Sequence, residues 1–295
     1  MAYLDIPPSW RQLEPETLHG TLLVVGAPDV GKSTFARYLF YRLHSAGVQA
    51  AYIDGDPGQN QLGPPTTMTL VIPHTRSSFA AIPDAFPEGK TWMAFIGSTT
   101  PVGHMLPMMT GAALLERKAR QSGVHSLVFD SDGLVEPSVG GLALKLALID
   151  LLHPMVVFAI QRKGELETLL SPLRKTRRTR LIELSPSQAA RPRSRSARQS
   201  HRAAQFAKYF KSARTLTMNW STIAVLPYPR FTLHRLVALD DSGGFTLGLG
   251  IVHEIDQPAR QVTLMAPLSS LQDVDTLRLG DLSLDAGTYY DQQLP

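Results

Sequence analysis

Nine consecutive residues constrain this chain more than any others: Gly26, Ala27, Pro28, Asp29, Val30, Gly31, Lys32, Ser33 and Thr34. An apolar run at 21–25 precedes them, and a segment of helical period at 35–44 follows, with Leu39, Phe40 and Leu43 on one side. Two glycines at this spacing let the backbone wrap an anion with its N–H groups, while the following helix aims its positive end at the same point. The pattern is a phosphate-binding loop, and all nine residues are expected to line a nucleotide. Lys32 would bridge its β- and γ-phosphates, and the Ser33 hydroxyl would hold Mg²⁺. A plain Gly-rich turn between strand and helix is the competing explanation, and it gives the Lys-Ser step no purpose.

The 295-residue chain contains no cysteine, which excludes disulfides and thiolate metal sites. Its first residues lack the basic and apolar regions of a secretory signal. No apolar run reaches the ~18 residues of a membrane span. The expectation is a soluble, cytoplasmic protein without membrane contact. Net charge is only +4, but residues 172–214 hold 13 of the 29 Lys and Arg and a single acidic residue, Glu183. The rest of the chain is therefore net acidic. Such a block either tracks a phosphate backbone or is a solvated basic loop.

Strand and helix signals alternate to about residue 184, predicting an α/β fold of P-loop NTPase type. Its sheet would be mostly parallel, with helices on both faces. The organisation expected is an amino-terminal segment at 1–20, a P-loop core at 21–215 with an arginine-rich lid at 186–212, and a small carboxyl-terminal all-β domain at 216–295. One helix is expected at 203–211. Ligands of parallel sheets bind beyond the carboxyl ends of the strands. Ser33, Asp56, Ser98 and Asp130 all follow predicted strand ends and can converge there.

Asp56 and Gln59 lie in the run Asp54 to Gln59, directly after the second predicted strand. A carboxylate there can hold Mg²⁺ or take a proton from an attacking hydroxyl, and an amide can orient the metal's waters. The same composition also makes an ordinary side-chain-stabilised turn. Asp130 ends an apolar strand and is either a metal ligand or the first residue of a loop. Arg193, Arg195, Arg198 and Arg202 could close over phosphates as a lid or simply face RNA. The nine histidines show no metal spacing. Neither Asn60 nor Asn219 starts a guanine-reading motif, which weakens a GTPase reading.

Taken in order, GAPDVGKST, YIDGDPGQ, GSTTP and DSDGLV resemble the polynucleotide 5′-hydroxyl kinase family of RNA processing. That family includes the kinase subunit of the pre-mRNA cleavage complex and nucleolar pre-rRNA kinases. The resemblance implies transfer of the γ-phosphate of ATP, with Mg²⁺, to the 5′-hydroxyl of RNA or DNA ends. It implies Lys32, Asp56, Arg193 and Arg198 as catalytic residues, and Ser33, Asp56, Gln59 and Asp130 around the metal. Ser98, Thr99, Thr100, Ser131, Gly133 and Leu134 would bind substrate. Leu134 stands where the family's clasp motif has a base-stacking Trp, and Asp130 replaces a residue that is often Asn. Only about twenty residues precede the first strand, where larger relatives carry a β domain. Two alternatives stay open: an ATP-binding assembly subunit without turnover, and a small-molecule kinase.

Overall fold

The computed structural model describes residues 6–74 and 86–294. The chain divides into two compact units. The first draws on Met1–Asp56, Thr69–Thr91 and Pro101–Arg193; the second draws on Pro57–Met68, Trp92–Thr100 and Ser194–Pro295.

The first unit runs α1 (Pro8–Arg11), β1 (Gly20–Gly26), α2 (Lys32–Ser45), β2 (Ala50–Gly55), β3 (Thr67–Pro73) and β4 (Gly89–Phe95), which crosses into the second unit. Then come α3 (Met105–Gln121), β5 (Ser126–Ser131), α4 (Gly141–Leu152), β6 (Val156–Ile160), α5 (Glu167–Leu173) and β7 (Arg180–Leu184). The sheet order is β4-β3-β2-β5-β1-β6-β7. Strands β2, β5, β1, β6 and β7 are parallel, and β3 lies antiparallel to β2. The fold is α/β of P-loop type, with helices on both faces. Leu22, Leu23, Val24 and Val25 of β1 and every residue of β6 are buried. Such continuously apolar strands are what a sheet covered on both faces requires. The residues ahead of β1 join this core through Trp10, buried edge-on against Phe35 of α2 at 5.1 Å between ring centroids.

The register places the chemistry. Asp130 of β5 stands level with Asp54 of β2 on one side and Val24 of β1 on the other. Both carboxylates therefore sit at the carboxyl ends of neighbouring parallel strands, beside the loop that leaves β1.

The second unit contains α6 (Arg195–Tyr209), β8 (Arg214–Asn219), β9 (Ala224–Leu226), β10 (Arg235–Asp240), β11 (Thr246–Asp256), β12 (Gln261–Ala266), β13 (Thr276–Leu284) and β14 (Asp291–Gln293). Its sheet is ordered β14-β13-β10-β11-β12-β8, with β9 parallel to β13 and the remaining pairs antiparallel. The helix expected at 203–211 instead begins at Arg195. Ser194 caps it by accepting a hydrogen bond from Ala197 N, so the Ser/Arg-rich stretch becomes its first two turns. Phe206 and Phe210 anchor this end of the chain in an apolar cluster with Phe95, Leu236, Ala238, Leu249 and Leu284.

Candidate active site

Residues 26–34 run from the end of β1 through a loop at 27–31 into the first turn of α2. Gly31 has φ +95°, a left-handed conformation that glycine adopts without strain, and it turns the chain into α2. No side chain caps the start of α2, and the first intrahelical bond is Phe35 N to Gly31 O. The N–H groups of Lys32, Ser33 and Thr34 thus point out of the helix start, towards any anion in the loop.

Lys32 is buried, and its Nζ donates to Ala27 O at 2.8 Å across the loop. Burial pulls its pKa below the ordinary lysine value, while the Asp130 and Asp56 carboxylates oppose that shift. Lys32, Asp56 and Asp130 therefore form one electrostatic group. Asp130 is itself buried and lies within β5 rather than in the loop that follows it. Tyr52, a residue the sequence reasoning passed over, donates its hydroxyl to Asp130 Oδ2 at 3.1 Å. Asp130 Oδ1 is buried without a hydrogen-bond partner among the described residues. Burial raises the Asp130 pKa to about 6; the Ser33 hydroxyl and the Lys32 ammonium act the other way, and Asp56 adds to the rise.

That rise has a measurable consequence. An acid whose folded pKa exceeds its unfolded value costs stability when ionised, fully above about pH 6, and the cost fades as pH falls towards 4. Without nucleotide or metal, Asp130→Asn is expected to stabilise the first unit at pH 8 by about 3 kcal/mol, the gain vanishing near pH 4. Thermal unfolding across that range checks it; a pH-independent or negative change contradicts it. A buried carboxylate kept at such a cost is a mark of a functional site.

The loop after β5 is built by a pair the sequence reasoning missed. Lys145 of α4 is fully buried and donates to Asp132 Oδ2 at 2.5 Å. Asp132 Oδ1 accepts Leu134 N at 2.7 Å, fixing the turn. The signal was available: Lys145 is the one cation inside the apolar run of α4. Ser131 is buried, with its hydroxyl donating to Val24 O at 2.7 Å. Gly133 lies over the phosphate loop so closely that a Cβ would stand 3.0–3.1 Å from Pro28. Leu134 is half-buried.

At the loop's tip, Asp29 accepts from Arg193 twice, from the backbone N at 2.9 Å and from Nε at 3.2 Å. Arg162 Nη2 donates to Asp29 O and Ala190 O, both at 3.0 Å. Asp56 N donates to Asp54 Oδ1 at 3.3 Å. The remaining predicted residues belong to the second unit. Gln59 donates to Gly58 O, and Ser98 is buried with its Oγ accepting Thr100 N. Thr99 donates to Asp291, and Arg198 lies at the end of the first turn of α6.

Among the described residues no cluster of three His, Asp or Glu side chains could hold a metal by itself. Magnesium does not require one, since it keeps waters and phosphate oxygens beside one or two carboxylates. The unpartnered Asp130 Oδ1 and the Ser33 hydroxyl fit that use.

A family model described as mRNA cleavage and polyadenylation factor CLP1 P-loop matches residues 26–212. A polyribonucleotide 5′-hydroxyl-kinase of Methanocaldococcus jannaschii is 29% identical over 204 residues, covering 69% of this chain and 54% of that protein. The chain thus spans about half the length of that relative. One from Pyrococcus furiosus is 29% identical over 316 aligned positions, covering 88% of this chain and 86% of the other. Among solved structures, the wild-type Clp1p–Pcf11p (454–563) complex matches with a TM-score of 0.66 and 11% identity, over 90% of this chain and 74% of that one. At that identity the match speaks for the fold.

Proposed function

This chain belongs to the mRNA cleavage and polyadenylation factor CLP1 P-loop family, and from that premise we propose that it is an ATP-dependent polynucleotide 5′-hydroxyl kinase. Its substrates are ATP and the 5′-hydroxyl end of RNA or DNA. The observation that carries the reading is the buried group at the strand ends: an unpartnered Asp130 oxygen beside Ser33 and Lys32, under an uncapped helix start. Those parts match a triphosphate and its metal. Two of the matched relatives are named for this activity.

In the reaction the 5′-hydroxyl oxygen bonds to the γ-phosphorus as the bond to the β–γ bridging oxygen breaks and ADP leaves. Asp56 takes the hydroxyl proton. The backbone N–H groups of residues 26–34, Pro28 excepted, hold the phosphate chain, and Lys32 places its charge between the β- and γ-phosphates. Ser33 and Asp130 would hold Mg²⁺, which when bound neutralises charge on the phosphate oxygens. On the family motif alone, we assign Gln59 to that metal's waters, Ser98, Thr99 and Thr100 to the acceptor strand, and Arg198 to the transferring phosphate. Ser131, Gly133 and Leu134 form the substrate clasp; Leu134 offers an apolar side chain without a stacking face, so contact with the terminal base is weakly selective.

The test is ADP formation with different acceptors. Oligonucleotides with a 5′-hydroxyl end should stimulate it, whereas the same oligonucleotides carrying a 5′-phosphate, or free nucleosides, should not. Equal stimulation by nucleosides would identify a small-molecule kinase. ATP binding with no ADP would identify an assembly subunit. Arg193→Ala and Arg198→Ala should each lower kcat by roughly 10²–10³-fold while leaving the Kd for ATP within a fewfold. Parallel losses in both quantities would remove their role in the transition state.

A further inference from the structure

Asp291 lies far along the chain from every motif named above, in the three-residue strand β14 at the edge of the second unit's sheet. Its carboxylate nevertheless joins two of the elements to which the kinase reading gives work. Oδ1 accepts from Arg202 Nε at 3.1 Å and Oδ2 from Arg202 Nη2 at 2.9 Å, a two-pronged pair. Oδ2 also accepts the Thr99 hydroxyl at 3.4 Å. The main-chain oxygen of Asp291 accepts Gln199 Nε2 at 3.2 Å, and the neighbouring Tyr290 hydroxyl lies 3.2 Å from Ser200 Oγ. The pair is largely shielded from solvent, with side-chain exposures of 7% for Asp291 and 16% for Arg202.

Stability alone does not account for such a pair. Taking both charges out of water offsets much of their attraction, and well-packed apolar residues hold an edge strand as firmly. What a forked ion pair adds is a fixed geometry. Arg202 is one helical turn beyond Arg198, so fixing Arg202 fixes the face that carries Arg198. Thr99 is the central residue of the GSTTP loop. The helix has other attachments: Phe206 in its apolar cluster and Gln205, which donates to Asn60 O at 2.9 Å. Loss of the Asp291 charge therefore leaves α6 docked and frees only its registration with Thr99.

We propose that Asp291 is a positioning residue for phosphate transfer. Its carboxylate locks the Thr99 loop to the arginine-bearing helix α6 through Arg202, holding acceptor-binding and charge-neutralising groups as one piece. This rests on the kinase reading, since only there do Thr99 and Arg198 act on substrate.

The experiment uses the full chain and four proteins: wild type, Asp291→Asn, Thr99→Val and the double variant. Each is measured for KM of a 5′-hydroxyl RNA oligonucleotide, kcat, Kd for ATP and Tm. Asp291→Asn should raise the KM for RNA about tenfold and lower kcat, with Kd for ATP unchanged within about twofold. The double variant should lose little more than either single one, because both act through one contact. A wild type that transfers phosphate beside an indistinguishable Asp291→Asn overturns the proposal and leaves the kinase reading standing. Strict additivity, or a collapse of Tm with loss of ATP binding, overturns it in favour of an independent or purely structural role. A wild type without transfer removes the kinase reading and this proposal with it.

Discussion

Replacing Lys32 by Ala is expected to reduce phosphate transfer by at least about a thousandfold, the largest effect of any single change in the chain. Two physical losses combine. The ammonium is the one lysine charge inside the phosphate loop, already bridging it through Ala27 O, and alanine takes that charge away from the β- and γ-phosphates. The same cation also lies close to Asp130 and Asp56, lowering the Asp130 pKa. Without it Asp130 takes up a proton at higher pH and is less available to a metal. ATP affinity should fall along with turnover, most steeply below pH 7. Steady-state kinetics together with ATP titration checks this. A Lys32→Ala protein with half of its wild-type transfer would show that the loop does not hold the reacting phosphates.

The largest effect on stability should come from Lys145. Its ammonium and the Asp132 carboxylate are both essentially excluded from water and meet at 2.5 Å. Removing one member leaves the other charge buried alone, which costs about 3–5 kcal/mol. Lys145→Met, close in volume, should therefore lower the Tm of the first unit by roughly 10 °C. Because Asp132 also holds Leu134 N, the clasp loop should loosen and the KM for the acceptor should rise. The double variant Asp132→Asn with Lys145→Met should recover most of the lost stability, since neither charge then remains. Differential scanning calorimetry of wild type and the two variants separates these outcomes. A loss below about 1 kcal/mol for Lys145→Met would show that Asp132 finds water or another partner there.

Local pattern made the phosphate loop legible in the sequence. Strand, nine-residue loop and helix adjoin one another, and their spacing carries the chemistry. The places of Asp56 and Asp130 were legible for a related reason: Asp56 directly follows β2, Asp130 ends the apolar part of β5, and the parallel packing of those strands brings their ends together. Elements whose signal is tertiary escaped. Strand β3 follows a Gly/Pro-rich loop and pairs antiparallel to β2, so strand–helix alternation gave no place for it. The start of α6 reads as a basic loop because Arg195, Arg198 and Arg202 dominate its composition; its cap, Ser194, is one serine among several. Strand β14 is three residues long, too short for a period. The pairs Asp29–Arg193, Asp132–Lys145 and Arg202–Asp291 join residues that only the fold brings together. Each lies against a segment that the motifs had already singled out: the phosphate loop, the loop after β5, and the GSTTP loop with α6.

Whether the γ-phosphate passes to a polynucleotide 5′-hydroxyl is decided by finding where that phosphate goes. Wild-type protein is incubated with Mg²⁺, γ-labelled ATP and a short RNA bearing either a 5′-hydroxyl or a 5′-phosphate, and the RNA is then digested to mononucleotides. Label is expected on the 5′-terminal phosphate of the hydroxyl-ended RNA alone, with one ADP formed for each end labelled. Unlabelled RNA, whether ATP is hydrolysed to free phosphate or only bound, would contradict it.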